Sequence, residues 1–334
     1  MQNYSMKTKI LLTGGTGFIG SYLAEELVKN GYSVRALVRN PDKLRWPIDK
    51  LGKSIEIFKG DITNSIGLDQ AVKDVKVIIH IAGLTKALSY EKFYLANAKS
   101  CELLLNAADK NKVKQFIFFS SIAAGGPAGK NPKKENEKEN PVGKYGLTKL
   151  KGEYIIRSHD INYTVFRPSP VYGERDVEFL PLFKAIRKGF KLILGDGQNK
   201  TSMIYHKDLI KAVLLSILNK NAFNKTYNIS DGRVYNWIDV NNAAEKAVGK
   251  KCRNLKLPMF SGILLGNINH IIEKIINKPM LLNKEKLREM QQKSWAVDTS
   301  LIQKDLGFTP DYSLEQGFEK TFKWYVENGW IKGL

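Results

Sequence analysis

Tyr145 and Lys149 are four positions apart in the segment Tyr-Gly-Leu-Thr-Lys, a spacing that places both side chains on the same face of a helix. A phenol titrates near pH 10, so an unaided tyrosine is a poor acid-base catalyst at neutral pH. An ammonium group one helical turn away favours the phenolate and lowers that pKa. The pair therefore predicts a group that moves a proton to or from a substrate hydroxyl, although two surface residues of a helix would share this spacing.

A hydroxyl residue upstream strengthens the prediction. Ser121 follows the strongly apolar run Phe116-Ile117-Phe118-Phe119, which reads as a buried strand. A side chain at the C-terminal end of a parallel strand lies where such sheets bind ligands. We expect Ser121 to hydrogen-bond the substrate oxygen, with the adjacent Ser120 as the alternative. The predicted catalytic residues are Ser121, Tyr145 and Lys149.

A glycine-rich turn near the N-terminus predicts a dinucleotide site. It follows the apolar strand Lys9–Thr13 and opens a helix, which is the context that such a motif requires. Gly14 permits the tight turn, Gly17 lets the backbone approach a pyrophosphate at the helix N-terminus, and Gly20 lets the helix pack closely on the strand. The expected cofactor-binding residues of this turn are Gly14, Thr16, Gly17, Phe18, Ile19 and Gly20.

The end of the second predicted strand bears on the choice of cofactor. An NAD-selective site usually carries a carboxylate there that accepts hydrogen bonds from the ribose hydroxyls. This chain has Val38 followed by Arg39, and a guanidinium can pair with a 2′-phosphate. We therefore expect a preference for NADP(H), with NAD(H) possible. Arg39 is the main expected selector and Arg35 a weaker one, and a solvated surface arginine is the alternative interpretation.

The first half of the chain alternates short apolar runs with helical patterns, as βαβ units of a parallel sheet do. We predict an α/β fold: a Rossmann-type doubly wound parallel sheet in residues 1–167 and a smaller C-terminal α/β substrate lobe in residues 168–334, with some of its elements returning to the first domain. The predicted strands are Lys9–Thr13, Ser33–Val38, Ile55–Lys59, Val77–Ile81, Gln115–Ser120 and Tyr163–Arg167. The predicted helices of this half are Phe18–Asn30, Ile66–Val75, Phe93–Lys110 and Gly143–Ser158.

The second half is less regular. Helices are expected at Phe179–Lys188, Lys207–Leu218, Trp237–Val248, Asn283–Glu289 and Leu314–Asn328. In the first half, between the fifth strand and the helix of the Tyr-Lys pair, Lys130–Asn140 lacks apolar periodicity and reads as a mobile surface loop. Leu255–Ile276 could form an amphipathic membrane helix, but its polar interruptions favour a helix lining the substrate lobe.

Composition limits the classes of function. The net charge of +20 is divided evenly between the two halves and comes mainly from lysine, which favours a basic solvated surface over a nucleic-acid site. No apolar run reaches the roughly 18 residues of a membrane span. Cys101 and Cys252 show no metal-like spacing and read as reduced thiols of a cytoplasmic protein. The four histidines are scattered, so no metal site is expected.

Together these segments resemble the extended short-chain dehydrogenase/reductase family, whose members include nucleotide-sugar epimerases and dehydratases, dihydroflavonol reductases and hydroxysteroid dehydrogenases. The resemblance spans nearly the whole chain and includes the glycine turn, Ser121, Tyr145 and Lys149. It also includes Gly60-Asp61-Ile62, His80-Ile81-Ala82-Gly83, Asn97, Arg167-Pro168-Ser169-Pro170-Val171-Tyr172-Gly173, Tyr205-His206-Lys207-Asp208-Leu209 and Tyr227-Asn228-Ile229.

The resemblance implies further site residues. Asp61 is expected to bind adenine, and the loop with Ala82 and Gly83 is expected to lie under the pyrophosphate. The segment with Pro168 and Val171 is expected to close on the nicotinamide. The further cofactor-binding residues are Asp61, Ile62, Ala82, Gly83, Asn97, Tyr145, Lys149, Pro168 and Val171. The resemblance also implies a homodimer formed by the helices at 93–110 and 143–158.

Two departures bear on the substrate. Sugar-active members of the family usually carry an arginine before Tyr205-His206 that contacts the nucleotide phosphates, and this chain has Thr201 there. Ser121 is followed two positions later by Ala123, without the Asp-Glu pair of dehydratases. The main expectation is an oxidoreductase that transfers hydride between the nicotinamide and a secondary alcohol or ketone. The alternatives are a nucleotide-sugar epimerase or dehydratase with tightly bound NAD, and a non-catalytic nucleotide-sensing protein.

Overall fold

The computed structural model describes residues 8–44, 54–258 and 284–332, together with 273, 276 and 277. The chain divides into two compact units. Unit 1 comprises Met1–Ala124, Lys144–Arg167 and Ile210–Tyr227. Unit 2 comprises Gly125–Gly143, Pro168–Leu209 and Asn228–Leu334.

Unit 1 is built on a doubly wound parallel sheet of the Rossmann type. Its seven strands are β1 (Lys9–Thr13), β2 (Ser33–Val38), β3 (Ile55–Lys59), β4 (Val77–His80), β5 (Gln115–Phe119), β6 (Tyr163–Pro168) and β11 (Lys225–Ile229). They lie in the order β11-β6-β5-β4-β1-β2-β3, and the strands from β6 to β3 in this order pair in parallel. The order reverses direction between β1 and β4, and such a switch point is where open α/β sheets bind ligands.

The helices of the first half follow the strands in alternation. They are α1 (Phe18–Lys29), α2 (Leu68–Val72), α3 (Tyr90–Tyr94), α4 (Ser100–Lys110), α5 (Ile122–Gly125) and α6 (Lys144–Arg157). A π-helical segment, Leu95–Lys99, joins α3 to α4 without a break. Leu104 and Leu105 of α4 belong to the same buried apolar cluster as Phe116 and Phe118 of β5, and this shared core holds the helix on the sheet.

The sequence expectations for unit 1 are close to the observed elements, with three differences. The helix predicted at Ile66–Val75 is confined to Leu68–Val72. The helix predicted at Phe93–Lys110 starts at Tyr90 and contains the π-helical segment. β11 is a further strand of the central sheet that the apolar patterning did not indicate.

Unit 2 combines short strands with helices. Its strands are β7 (Val171–Tyr172), β8 (Phe190–Leu194), β9 (Lys200–Thr201), β10 (Ile204–Tyr205), β12 (Tyr235–Asn236), β13 (Arg253–Leu257) and β14 (Ser294–Trp295). The remaining helices are α7 (Leu180–Arg187), α8 (His206–Ser216), α9 (Trp237–Val248), α10 (Lys284–Met290), α11 (Ser300–Leu306) and α12 (Leu314–Glu327). α8 crosses from unit 2 into unit 1.

An aromatic cluster forms the core of unit 2. Tyr172, Phe183 and Phe318 are fully buried, and the rings of Tyr172 and Phe318 meet edge to face with centroids 4.8 Å apart. Edge-to-face geometry is favoured because the positive rim of one ring faces the negative face of the other. Gly317 leaves room for Tyr172, since a Cβ there would lie 2.5 Å from its hydroxyl oxygen.

Two expectations for segments outside the central sheet are wrong in part. Lys130–Asn140 contains a bonded segment: Lys133 is buried, bridges to Val297, and its ammonium donates to Lys138 O at 2.9 Å. Leu255–Leu257 belongs to strand β13 rather than to a helix, and most of the rest of the predicted helix lies outside the described residues. In the part of the chain that the structure describes, no helix is long and apolar enough to cross a membrane.

Candidate active site

The glycine turn forms a cradle between β1 and α1. The Gly17 amide donates to Gly14 O at 2.9 Å, and Gly14 has a φ of +77°, which favours glycine. A Cβ on Gly20 would lie 2.2 Å from Gly14 O, so no larger residue fits there. α1 begins after Gly17 with no side-chain cap and no acidic residue in its first turn. Its first amides are thus placed to receive an anionic group such as a pyrophosphate.

The loop after β4 closes one side of this cradle. A Cβ on Gly14 would lie 2.7 Å from the Ala82 amide nitrogen, so the turn and the loop are in direct contact. The Ala82 amide donates to Thr13 Oγ1 at 3.2 Å, and this hydroxyl is also bonded to His80 Nδ1 at 2.7 Å. Burial, assisted by the charge of Lys149, lowers the pKa of His80 from 6.5 to about 3. A neutral His80 therefore ties β1 to β4 beneath the cradle, and no metal role is needed to explain it.

Asn97 connects this loop to the helix that carries the predicted catalytic pair. It is fully buried in the π-helical segment. Its Oδ1 accepts from the Leu84 amide at 2.8 Å, and its Nδ2 donates to Leu84 O and to Thr148 Oγ1. π-helical turns often occur at functional sites because the inserted residue re-aims neighbouring side chains. Thr148, directly before Lys149, is a site residue that the sequence interpretation missed.

Lys149 lies at the centre of the site. Its side chain is 4% exposed, and its ammonium donates to Phe119 O at 2.7 Å and lies 4.8 Å from the Phe118 ring centroid. Burial lowers its pKa from 10.5 to about 8, and the nearby carboxylate of Glu153 opposes this shift. The group is thus cationic at neutral pH. Gly83 makes room for it, since a Cβ there would lie 3.0 Å from Nζ and 2.7 Å from Asn97 Oδ1.

Tyr145 and Ser121 have the exposure that contact with a ligand requires. Tyr145 is half-buried near the start of α6, and its ring packs on Phe93 with centroids 6.4 Å apart. Ser121 is half-buried directly after β5, and its Oγ accepts from the Ala123 amide at 3.1 Å. A hydroxyl that accepts one such bond still has its proton to donate.

Ser120, the alternative to Ser121, has a different role. It is 4% exposed, and its hydroxyl donates to Glu153 Oε1. Arg167 makes a two-point bond to the same carboxylate at 2.9 and 2.7 Å, and Arg157 donates to Oε2 at 2.7 Å. This cluster fixes α6 against the ends of β5 and β6. Glu153, four residues after Lys149, is a positioning residue that its place on a buried helix face could have indicated.

The other predicted cofactor residues of unit 1 follow the C-terminal ends of strands β1 and β3. Thr16, Phe18 and Ile19 are half-buried in the glycine turn and the first turn of α1. Asp61 and Ile62 follow β3, and Asp61 Oδ1 accepts from the amide and the hydroxyl of Thr63.

The two arginines considered as cofactor selectors lie in different environments. Arg39 is exposed directly after β2. The guanidinium of Arg35 lies at the C-terminus of α2, where it donates hydrogen bonds to Gln70 O, Ala71 O and Lys73 O. Arg35 thus has a structural role, and the expectation that it is a weaker selector of NADP is wrong.

The predicted residues of unit 2 are placed as follows. Pro168 is buried at the end of β6, and Val171 is half-buried in β7, which pairs with Ile204 of β10. Thr201 is 3% exposed, and its hydroxyl donates to Ser202 O at 3.1 Å. Thr201 therefore offers no substitute for a phosphate-binding arginine. Among the described residues, no group of three His, Cys, Asp or Glu side chains could hold a metal ion.

Comparisons with known proteins are consistent with this arrangement. Residues 10–230 match the NAD dependent epimerase/dehydratase family. The ceramide reductase of Caulobacter vibrioides is 28% identical over 326 residues, covering 96% of each chain. The N-acetyl-alpha-D-glucosaminyl-diphospho-ditrans,octacis-undecaprenol 4-epimerase of Escherichia coli O157:H7 is 26% identical over 328 residues, again covering 96% of each. A solved structure of UDP-glucuronic acid 4-epimerase from Bacillus cereus, in complex with UDP-glucuronic acid and NAD, superimposes with a TM-score of 0.77 at 23% identity, covering 96% of this chain and 99% of that one.

Proposed function

Because this chain belongs to the NAD dependent epimerase/dehydratase family, we propose that it is an NAD-dependent epimerase. Its substrate would be a sugar joined to a diphosphate, and the reaction would invert a secondary hydroxyl. The observation that carries the proposal is a complete proton-transfer set, Ser121, Tyr145 and Lys149, in the unit that also holds the glycine cradle. The similarity to 4-epimerases over almost the full length of both chains supports inversion over net hydride transfer, the main expectation from the sequence.

The residues of the cradle fit NAD. The uncapped start of α1 leaves its first amides for an anionic group, and the glycines at 14, 17, 20 and 83 let the turn, the helix and the loop after β4 pack closely around that position. Bound NAD would supply the reversible uptake and return of a hydride. The expected NADP(H) preference has no support beyond the exposed Arg39, and the B. cereus structure is described with NAD. We therefore propose NAD as the resident cofactor.

Three side chains would handle the proton. Tyr145 would take the proton from the substrate hydroxyl and return it after inversion. Lys149 would favour the phenolate through its charge. Ser121 would donate a hydrogen bond to the substrate oxygen as negative charge develops on it. Asn97 and Glu153 would act on α6, by holding the turn that carries Tyr145 and Lys149 in place.

Net reduction of a ketone is the second candidate. The similarity to ceramide reductase favours it, and so does Thr201, which leaves no arginine at the position where sugar-nucleotide members carry one. The two candidates differ in the origin of the hydride. An epimerase returns the hydride that it removed, whereas a reductase takes it from exchanging cofactor.

The experiment that separates them uses NADH carrying deuterium at the transferred position. UDP-glucose and UDP-glucuronic acid serve as probes for inversion, and a ceramide-type ketone as the probe for reduction. Epimerisation without label in the product supports the main proposal, and label in the product supports the reductase. Tyr145→Phe should abolish turnover while nucleotide binding persists, and unchanged turnover would refute the assigned roles.

Assembly and location remain predictions. We propose a cytoplasmic homodimer in which α3 to α4 and α6 form the interface. Leu95, Leu147 and Tyr154 expose 43%, 39% and 50% of their surface, as apolar residues of an interface would in a single chain. Sedimentation of the wild type and of Leu147→Glu tests this, since loss of a dimer in the variant is the expected result.

A further inference from the structure

Unit 2 carries an exposed apolar face that the proposed reaction does not use. Phe190 and Leu192 alternate along β8, and Leu192 pairs in register with Leu255 of β13. All three side chains are 44% exposed. With Val177 and Leu180 they line a shallow groove of about 430 Å³. We call this surface, together with the basic residues described next, the basic apolar face.

Basic residues predominate around this groove, and the acidic residues beside it include Glu178, next to Val177, and Glu245, which pairs with Lys191. Residues 179–195 contain four Lys or Arg and no Asp or Glu, and residues 249–258 contain the same numbers. Lys184 and Lys188 line the groove itself and are exposed. Lys251, Arg253 and Lys256 are also exposed, on or beside β13. The charge of Lys191, on β8, is neutralised by the carboxylate of Glu245, whose Oε2 lies 2.8 Å from its Nζ.

The backbone of this face is firmly held, so the apolar side chains are presented on a fixed platform. β8 and β13 pair along five residues. The Arg253 amide donates to Gly189 O at 2.9 Å, and the Gly195 amide donates to Leu257 O at 2.8 Å, at the two ends of the pairing. On the opposite side of β8, Ile193 is 2% exposed and anchors the strand in the unit. Exposure of Phe190 and Leu192 is therefore a consequence of the strand alternation.

The combination of apolar and basic groups selects the occupant. A nucleic acid would use the lysines but would leave three large apolar side chains without a partner. A second copy would bring the same positive charge against itself. An anionic bilayer can bind both the apolar and the basic side chains. The apolar side chains would insert at the boundary of the acyl chains, and the lysines would pair with the acidic headgroups. We propose that the basic apolar face docks on the surface of an anionic lipid bilayer.

The test is co-sedimentation of the purified full-length protein with vesicles of phosphatidylcholine, with and without phosphatidylglycerol. Binding to the mixed vesicles should exceed binding to pure phosphatidylcholine and should weaken as salt rises. Lys184→Gln with Lys188→Gln should weaken binding by about fivefold for each lysine. Leu192→Ser should weaken it by about tenfold, and that loss should persist at high salt.

Matched controls replace exposed residues elsewhere: Leu215→Ser for the leucine and Lys76→Gln with Lys220→Gln for the lysines. These should bind like the wild type, and thermal melts should show that every variant remains folded. Failure of the wild type to bind anionic vesicles at low salt would overturn the proposal. Equal losses in variants and controls would overturn it too, as would a concentration-dependent oligomer that Leu192→Ser alone dissolves. None of these results depends on the proposed reaction.

Discussion

Replacing Glu153 by glutamine tests how the buried cluster holds the site together. The carboxylate is fully buried and accepts four hydrogen bonds: one from Ser120, two from Arg167 and one from Arg157. The guanidinium of Arg167 is itself only 1% exposed. Glu153→Gln keeps the volume but removes the negative charge, and it brings an amide donor next to two guanidinium groups that can only donate.

The magnitude follows from the charge that is left behind. Breaking a buried ion pair by removing one partner costs about 3–5 kcal/mol, because the remaining ion stays desolvated without compensation. Arg157 is partly exposed and can turn to water, so Arg167 dominates the loss. We expect the free energy of unfolding to fall by about 3 kcal/mol.

Urea unfolding followed by circular dichroism measures this loss. The matched control is Glu102→Gln, which removes an exposed pair with Lys99 and should cost less than about 0.5 kcal/mol. Adding Arg167→Met to Glu153→Gln removes the stranded charge and should recover part of the stability. A loss in Glu153→Gln no larger than that of the control would refute the reasoning, and so would a double variant less stable than Glu153→Gln alone.

Three further predictions follow from the same site. The pKa of Lys149 is about 8 in the folded protein, compared with 10.5 for an ordinary lysine such as that of the unfolded chain. Between pH 8 and pH 10.5 the unfolded chain therefore binds more protons than the folded chain. The free energy of unfolding of the wild type should rise over this pH range, relative to that of Lys149→Met, by up to about 3 kcal/mol, and unfolding at a series of pH values measures it. His80 has a folded-state pKa of about 3 against 6.5, so stability should fall as pH drops from 6.5 toward 3, and a His80→Asn variant should show a flatter acid limb. Gly83→Ala places a Cβ against Asn97 Oδ1 and Lys149 Nζ, so calorimetry should show NAD binding weakened by about tenfold or more, with Gly129→Ala, which meets open space, as the unaffected control.

The central sheet was the part of the fold most open to prediction from the sequence. β1, β2 and β3 have the predicted bounds, because each is a short apolar or β-branched run ended by turn residues. The helix that carries the predicted catalytic pair was placed to within one residue at each end, at Lys144–Arg157. These elements could be found because the periodicity of a single segment defines them.

What was missed depends on contacts between distant segments. The π-helical turn around Asn97 adds one residue to a helical turn, which a 3.6-residue pattern cannot distinguish from regular helix. Two-residue strands such as β9 and β12 have no periodicity to read. Lys133 looks like one more lysine of a charged loop, yet the carbonyl oxygens of Pro127 and Lys138 accept its ammonium protons. Burial of a polar side chain is visible only once its partners are known.

The candidate site was predictable as a set of residues but not as an arrangement. Ser121, Tyr145 and the glycine turn could be named from spacing and context. The bond from Ser120 to Glu153, which favours Ser121 as the proposed hydrogen-bond donor to the substrate, could not be read from the sequence. The discounting of Arg35 as a selector needed its three bonds to the end of α2.

The nucleotide carried by the purified protein tests the central claim most directly. The protein is isolated without added cofactor and denatured, and the released nucleotide is identified and quantified by chromatography. An epimerase keeps its cofactor through each cycle, so the account predicts NAD or NADH in near-stoichiometric amount. Release of NADP, or an empty protein that binds and exchanges NADPH, would contradict the account and favour a net reductase.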